Sequence, residues 1–260
     1  MRTRPNLCST RCSPRLSSLK VRCVADRRSS LTVAAILLGA GSGIRLGADV
    51  PKAFCVVAGR TLLAHSHDRF ATHPLVRDVV VVVPGAYLDR ARELGPGVNI
   101  IAGGITRLDS VRIGLAALAA DVDAVLVHDV ARPFVPSAVI DRVVEALAAG
   151  ADAVVPGLAV TDTVKQVDGT QAVIATLDRS VLRAIQTPQG FRRGPLEAAH
   201  VGAPEATDDA GLIESRGGRV VVVDGAEEAF KITRPWDLRV AESVAATLRP
   251  DSHPREGALS

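Results

Sequence analysis

At 260 residues, with 47% hydrophobic side chains and a net charge of +3, the chain is long enough for one domain with a sizeable core. The charge is unevenly placed: residues 1–30 carry seven Arg, one Lys and a single acid, which leaves residues 31–260 at −4. A mildly acidic body with only 3% aromatics argues against a nucleic-acid surface, and no apolar run reaches the length of a membrane span.

The first 30 residues form an Arg-, Ser- and Cys-rich extension nearly free of acids, a composition shared by organellar transit peptides. It lacks the apolar core of a secretory signal. It reads as upstream sequence from a misassigned start in preference to an import segment, and in either case as disordered. Cys8, Cys12 and Cys23 fall within it, with no histidine nearby and no C-x-x-C pair, which argues against zinc. Cys55, the only cysteine of the body, is expected to be a buried small hydrophobe, and a single free thiol fits a reducing cytoplasm.

Residues 32–38 are a continuous apolar run, as expected of a strand buried on both faces of a parallel sheet. Gly39, Ala40, Gly41 and Gly43 follow, a composition that lets the backbone turn tightly and bring bare amides against a ligand. Arg45 and Lys52 add two cations, so the loop reads as a grip for a nucleoside triphosphate. Neither of the commoner glycine motifs fits. Counting G-x-G-x-x-G from Gly39 or Gly41 puts Ile44 or Leu46 at the sixth position, and Pro51 and Ala53 flank Lys52 where a P-loop needs Gly and Ser or Thr.

Further apolar runs at 79–83, 98–101, 124–127, 153–155 and 220–223 alternate with helical candidates at 61–72, 86–94, 110–120 and 137–149. This rhythm predicts an α/β fold over residues 31–248, a doubly wound, mostly parallel Rossmann-like sheet whose ligand sits beyond the strand C-termini. The rhythm breaks between Thr161 and Ile185, where two short alternating segments flank Asp168-Gly169, a hairpin signal. The stretch at about 157–187 is too small for a second domain and reads as an inserted β-arm whose open edges dimerisation would cover. Residues 249–260 are expected to be a disordered tail. His65, His67 and His73 read as surface or packing residues, and His128 as facing the interior at a strand end.

Several short segments recur in a telling order: RLDSV (107–111), VHDVARPF (127–134), TDTVK (161–165), QTPQGF (186–191), TDDA (207–210) and FKIT (230–233). With LLGAGSGIRLG and PKAF before them, they make the chain resemble the 2-C-methyl-D-erythritol 4-phosphate cytidylyltransferase family of nucleotidyltransferases over about residues 31–248. The bias of 27 Arg to 4 Lys adds weight, because Lys52, Lys165 and Lys231 all lie inside these segments. An ammonium is a compact charge on a flexible stem, which a planar guanidinium does not replace.

The resemblance implies transfer of CMP from CTP to 2-C-methyl-D-erythritol 4-phosphate in non-mevalonate isoprenoid synthesis, by a cytoplasmic homodimer using Mg²⁺. It implies that Arg45 and Lys52 stabilise the triphosphate in the transition state and that Lys231 joins them as a catalytic cation. Gly39, Ala40, Gly41 and Gly43 would surround the nucleotide, while Gly103, Gly104 and Ser110 would hold the cytosine, with Arg107 nearby. Asp129 would bind nucleotide and metal, since Mg²⁺ commonly takes one or two carboxylates and the substrate's phosphates; an N-cap or an ion pair with Arg132 are its plainer readings. Arg132, Thr187 and Thr207 would face the substrates, and Thr163 and Arg179 would reach the acceptor phosphate from the neighbouring subunit's arm.

The attacking group in such a reaction is already a phosphate anion, so positioning and charge neutralisation suffice without a Ser-His-Asp or Cys-His constellation. Gly39, Ile44, Val130, Asp209 and Ala229 depart from the common family pattern, and Ile105 stands where an acid can approach the base or ribose. A cytidylyltransferase for another polyol phosphate such as ribitol 5-phosphate shares the loop and the VHDVARPF-like segment. A nucleotide-binding regulator without catalysis is the alternative from another class.

Overall fold

The computed structural model describes residues 31–40, 50–203 and 208–248. Gly41, Gly43, Ile44, Arg45, Thr207 and both terminal extensions lie outside the described residues. The elements are β1 (Val33–Leu38), β2 (Val56–Val57), β3 (Arg60–Thr61), α1 (Leu62–Ala71), β4 (Asp78–Val83), α2 (Leu88–Ala91), β5 (Asn99–Ala102), α3 (Arg107–Ala116), β6 (Ala124–Asp129) and α4 (Ser137–Ala148). They continue with β7 (Ala153–Ala159), β8 (Val164–Val167), β9 (Val173–Leu177), β10 (Arg183–Ile185), β11 (Gln189–Arg192), α5 (Arg193–His200), α6 (Asp209–Glu214), β12 (Val220–Asp224) and α7 (Pro235–Leu248).

The central sheet runs β5-β4-β1-β6-β11-β7, with β10 and β12 also paired to β7. β1 pairs in parallel with β4 and β6, and β4 with β5. The doubly wound, mostly parallel α/β expectation therefore holds. Alternate residues of β1 enter different cores: Val33, Ala35 and Leu37 pack with Phe70, Val139 and Leu147, whereas Ala34 and Ile36 pack with Val111, Leu115 and Leu196. Helices on both faces explain why the strands read as unbroken apolar runs.

Sequence pattern did not reveal β11, which carries the end of the QTPQGF segment back into the sheet antiparallel to both β6 and β7. Val154 of β7 pairs with Gly190 of β11 on one edge and with Val221 of β12 on the other. Helix α3 starts three residues before the expected position because Thr106 and Asp109 form a capping box. Helices α5, α6 and α7 were not anticipated.

The arm contains the expected hairpin, β8 against β9. Its turn is wider than the Asp168-Gly169 signal implied. Asp168 Oδ1 accepts from the N–H groups of Thr170 and Ala172, and Gln171 takes the left-handed conformation at φ 68°. A register shift at Gln166/Val167 marks an irregularity in the ladder.

Candidate active site

The C-terminal ends of β1, β4, β5 and β6 lie side by side, so the segments that follow them converge. Gly39 is buried against Ala53 and Val83, and its N–H donates to the Val82 carbonyl at 2.7 Å. Its amide thus extends the sheet and is not open to a phosphate. Lys52 starts a single 3₁₀ turn, Lys52–Phe54, whose Ala53 and Phe54 are buried. Phe54 stacks on Tyr87 at 5.0 Å with the Arg90 guanidinium over its ring. The lysine therefore projects from a firmly packed base.

The β5–α3 connection fits only glycine at two points. A Cβ on Gly103 would come within 2.8 Å of the Ala40 Cβ, and one on Gly104 within 2.3 Å of the Asp109 Cβ. The buried Ser110 holds the connection closed: its Oγ accepts from Gly104 N–H at 3.2 Å and donates to the Thr106 carbonyl at 3.0 Å. One acceptor lone pair of that hydroxyl remains. Ile105 stands fully exposed at the tip of the connection.

Asp129, the last residue of β6, is the centre of the arrangement. Its Oδ2 accepts from Lys231 Nζ at 2.6 Å, its backbone N–H donates to Thr187 Oγ1 at 3.1 Å, and Oδ1 has no hydrogen-bond partner among the described residues. Burial pushes the Asp129 carboxyl up, but Lys231 and then Arg107 outweigh it and hold the group below its ordinary range. The ion pair with Arg132, one of the plainer readings of Asp129, does not form; Lys231 takes that place. Arg132 instead donates to the carbonyls of Ala229 (2.7 Å) and Ile185 (3.2 Å), and its buried Nε has no hydrogen-bond partner among the described residues. Lys231 is bracketed by the buried Ala229 and by Ile232, whose N–H reaches the Ala131 carbonyl at 2.8 Å.

His128 faces inward as expected. Its Nε2–H donates to the Arg132 carbonyl at 3.1 Å, while Nδ1 accepts from the Thr187 hydroxyl at 3.0 Å. Burial lowers its pKa to about 4, so the ring is neutral. Thr187 is thereby a bridge between His128 and Asp129, held beneath the site. Gln186 docks the Gly225–Ala226 turn ahead of Lys231, giving Nε2–H to the Ala226 carbonyl and accepting its N–H.

Thr163 and Arg179 are both exposed and stand together at the base of the hairpin, at the end opposite the Asp168 turn. An Arg179 guanidinium N–H donates to the Thr161 carbonyl. Lys165 sits in β8 and donates to Thr176. Sequence reasoning missed the buried pairing of Asp209 with His200 and Arg107, and the bond from Gln189 to Asp208. Long-range pairs of this kind leave no periodic trace.

Among the described residues no group of three or more His, Cys, Asp or Glu could cage a metal. A cavity of about 480 Å³ lies at the other edge of the sheet, where Asp78 and Asn99 begin their strands.

The chain matches the model of the 2-C-methyl-D-erythritol 4-phosphate cytidylyltransferase family over residues 33–247. It belongs to that family. A family member from Rhodococcus jostii is 49% identical over 214 residues, covering 82% of this chain and 94% of the relative. One from Frankia casuarinae is 46% identical over 224 residues, covering 85% and 84%. Among solved structures, the Thermus thermophilus enzyme is similar at TM-score 0.70 and 39% identity, over 83% of this chain and all of that one. The 4-diphosphocytidyl-2C-methyl-D-erythritol synthase of Anaerococcus prevotii is similar at TM-score 0.76 and 27% identity, over 85% and 99%. The family's matched span takes in β1, the Asp129–Lys231 pair and the arm.

Proposed function

We propose that this cytidylyltransferase, which transfers CMP from CTP to 2-C-methyl-D-erythritol 4-phosphate, does so by charge neutralisation at the edge defined by Asp129 and Lys231. The observation that carries the reading is the 2.6 Å pair itself, at the end of a parallel strand, where Arg107 and Arg132 are near enough for their charges to act on Asp129. An acceptor phosphate oxygen forms a bond to the α-phosphorus of CTP as the bond to the β-phosphate bridging oxygen breaks, and pyrophosphate leaves. Negative charge shifts onto the leaving group, where fixed cations stabilise it more than they stabilise the bound substrate.

Lys52 and Lys231 supply two of these cations, and Arg45 is assigned the third. The amides of Gly41 and Gly43 are assigned to the phosphates, and Gly103, Gly104 and Ser110 to the cytosine. Arg132 and Thr187 are assigned to the acceptor side, and so is Thr207. Mg²⁺ fits the donor set: Asp129 Oδ1 takes no hydrogen bond from the described residues, and one carboxylate plus substrate phosphates is a common arrangement for this ion. Bound there, the ion supplies further neutralisation of the polyphosphate.

The homodimer belongs to the same reading. An isolated two-stranded hairpin is marginal in water, and this one exposes Val167, Val173 and Ile174. A second copy covering them would bring Thr163 and Arg179 to the neighbouring site. A cytoplasmic setting is supported by the buried, unpaired thiol of Cys55, and no helix among the described residues is long and apolar enough to cross a membrane. Pyrophosphate release from CTP with 2-C-methyl-D-erythritol 4-phosphate, ribitol 5-phosphate or no acceptor tests the reading. Release with the first alone is expected, and equal release with ribitol 5-phosphate would overturn the acceptor assignment.

A further inference from the structure

Arg107 occupies the first position of α3, where the helix dipole disfavours a cation. Its Nη1 stands 2.7 Å from Asp209 Oδ2, an ion pair in which Oδ2 has no aligned hydrogen bond. Asp209 is wholly buried at the start of α6, and its Oδ1 accepts Nε2–H from the buried His200 at 3.0 Å. The far nitrogen of that ring, Nδ1, has no hydrogen-bond partner among the described residues. Arg107 in turn lies close enough to Asp129 for the two charges to stabilise each other, and its side chain is 32% exposed. One guanidinium thus pairs with a carboxylate sealed in the core and also feels the charge of the carboxylate at the site.

A tie between α3 and α6 does not require charge. Buried ion pairs replaced by apolar side chains of similar volume often leave stability unchanged or improved. What a carboxylate at Asp209 does, and an apolar residue would not, is hold the guanidinium away from Asp129. We propose that Asp209, buttressed by His200, is a positioning residue that aims Arg107 at the anionic part of the nucleotide and keeps it from collapsing onto Asp129. His200 fixes the carboxylate rotamer through Oδ1, Oδ2 holds Nη1, and the rest of the five-donor fork stays available to a phosphate oxygen. The inference rests on the cytidylyltransferase reading, and it adds residues from α5 and α6 to the control of nucleotide affinity.

A double-mutant cycle on CTP affinity tests it, with dissociation constants from calorimetry in Mg²⁺ alongside KM and kcat. Arg107→Ala and Asp209→Asn are each expected to weaken CTP binding about tenfold. Asp209→Glu, which restores the charge, is expected to return CTP affinity to within about threefold of the starting protein. Adding Asp209→Asn to Arg107→Ala should weaken CTP no further. Multiplying effects in the double variant, or unchanged CTP affinity in a folded Asp209→Asn protein, would overturn the proposal. Should Asp209→Asn fail to fold, unchanged CTP affinity in Arg107→Ala overturns it equally. Failure of the unsubstituted protein to release pyrophosphate would count against the catalytic reading alone, because the cycle reads binding.

Discussion

Lys231 Nζ lies 2.6 Å from Asp129 Oδ2 although 102 positions separate them, so the segment that follows the last sheet strand delivers a cation to the end of a central one. Lys231→Ala is expected to lower turnover by about two to three orders of magnitude while the fold persists. Burial raises the Asp129 carboxyl, and Lys231 is the foremost influence lowering it. Without that cation, Asp129 takes up its proton at higher pH. The acid limb of the kcat/KM profile should therefore move to higher pH in the variant, and a stationary limb would detach Asp129 from the chemistry.

Chelation should abolish activity without unfolding the protein. The described residues offer no three-ligand cage, so a divalent ion would arrive with the nucleotide and contribute nothing to the unliganded fold. Thermal midpoints measured with and without chelator are expected to coincide while pyrophosphate release stops; full release after exhaustive chelation contradicts this.

The position of Arg179 beside Thr163 at the hairpin base predicts a division of labour between subunits. Arg179→Ala should raise the acceptor KM by about tenfold or more and leave the CTP KM nearly unchanged, since a guanidinium suits a bidentate grip on a phosphate. Mixing Arg179→Ala and Lys52→Ala chains should regenerate one working site per heterodimer. Heterodimers that form but stay inactive would confine the arm to holding subunits together.

His128 ties stability to pH. In an unfolded chain its imidazole binds a proton below about 6.5, whereas in the fold it resists protonation until about 4 because burial disfavours the charge. Its contribution is complete above about pH 6.5 and is lost as pH falls toward 4, amounting to about 3 kcal/mol. Urea unfolding across this range should show a smaller acid loss in His128→Gln than in the unsubstituted protein. Identical pH dependence in both would show that the ring is not held neutral.

Much of the architecture was legible because buried parallel strands are written as apolar runs. The runs read at 32–38, 79–83 and 124–127 needed no partner to be recognised, and they form β1, β4 and β6 with bounds moved by one or two residues. β11 escaped because QTPQGF mixes Gln, Pro and Gly, and its place in the sheet comes from Gly190 and Phe191 packing under α4 and α5. The stop at Glu214 and the six-residue length of α6 gave periodicity too little room. At the site, residue types were readable while partners were not. Asp129 was singled out, yet its companion proved to be Lys231, because the Arg132 fork is drawn to the carbonyls of Ala229 and Ile185. Ser110 and Thr187 were read as ligand contacts and are first of all braces for the backbone and for His128.

Both neighbours of β7 at Val154 come from later in the chain, Gly190 and then Val221. On the ribosome, β7 therefore emerges with two open edges and keeps one of them until residues 220–224 have been made. An open edge is a template for pairing with another nascent chain. A product truncated before β12 would carry an exposed strand and an Asp129 with no ammonium to meet it, so the same late segment that completes the charge pair also closes the molecule against self-association during synthesis.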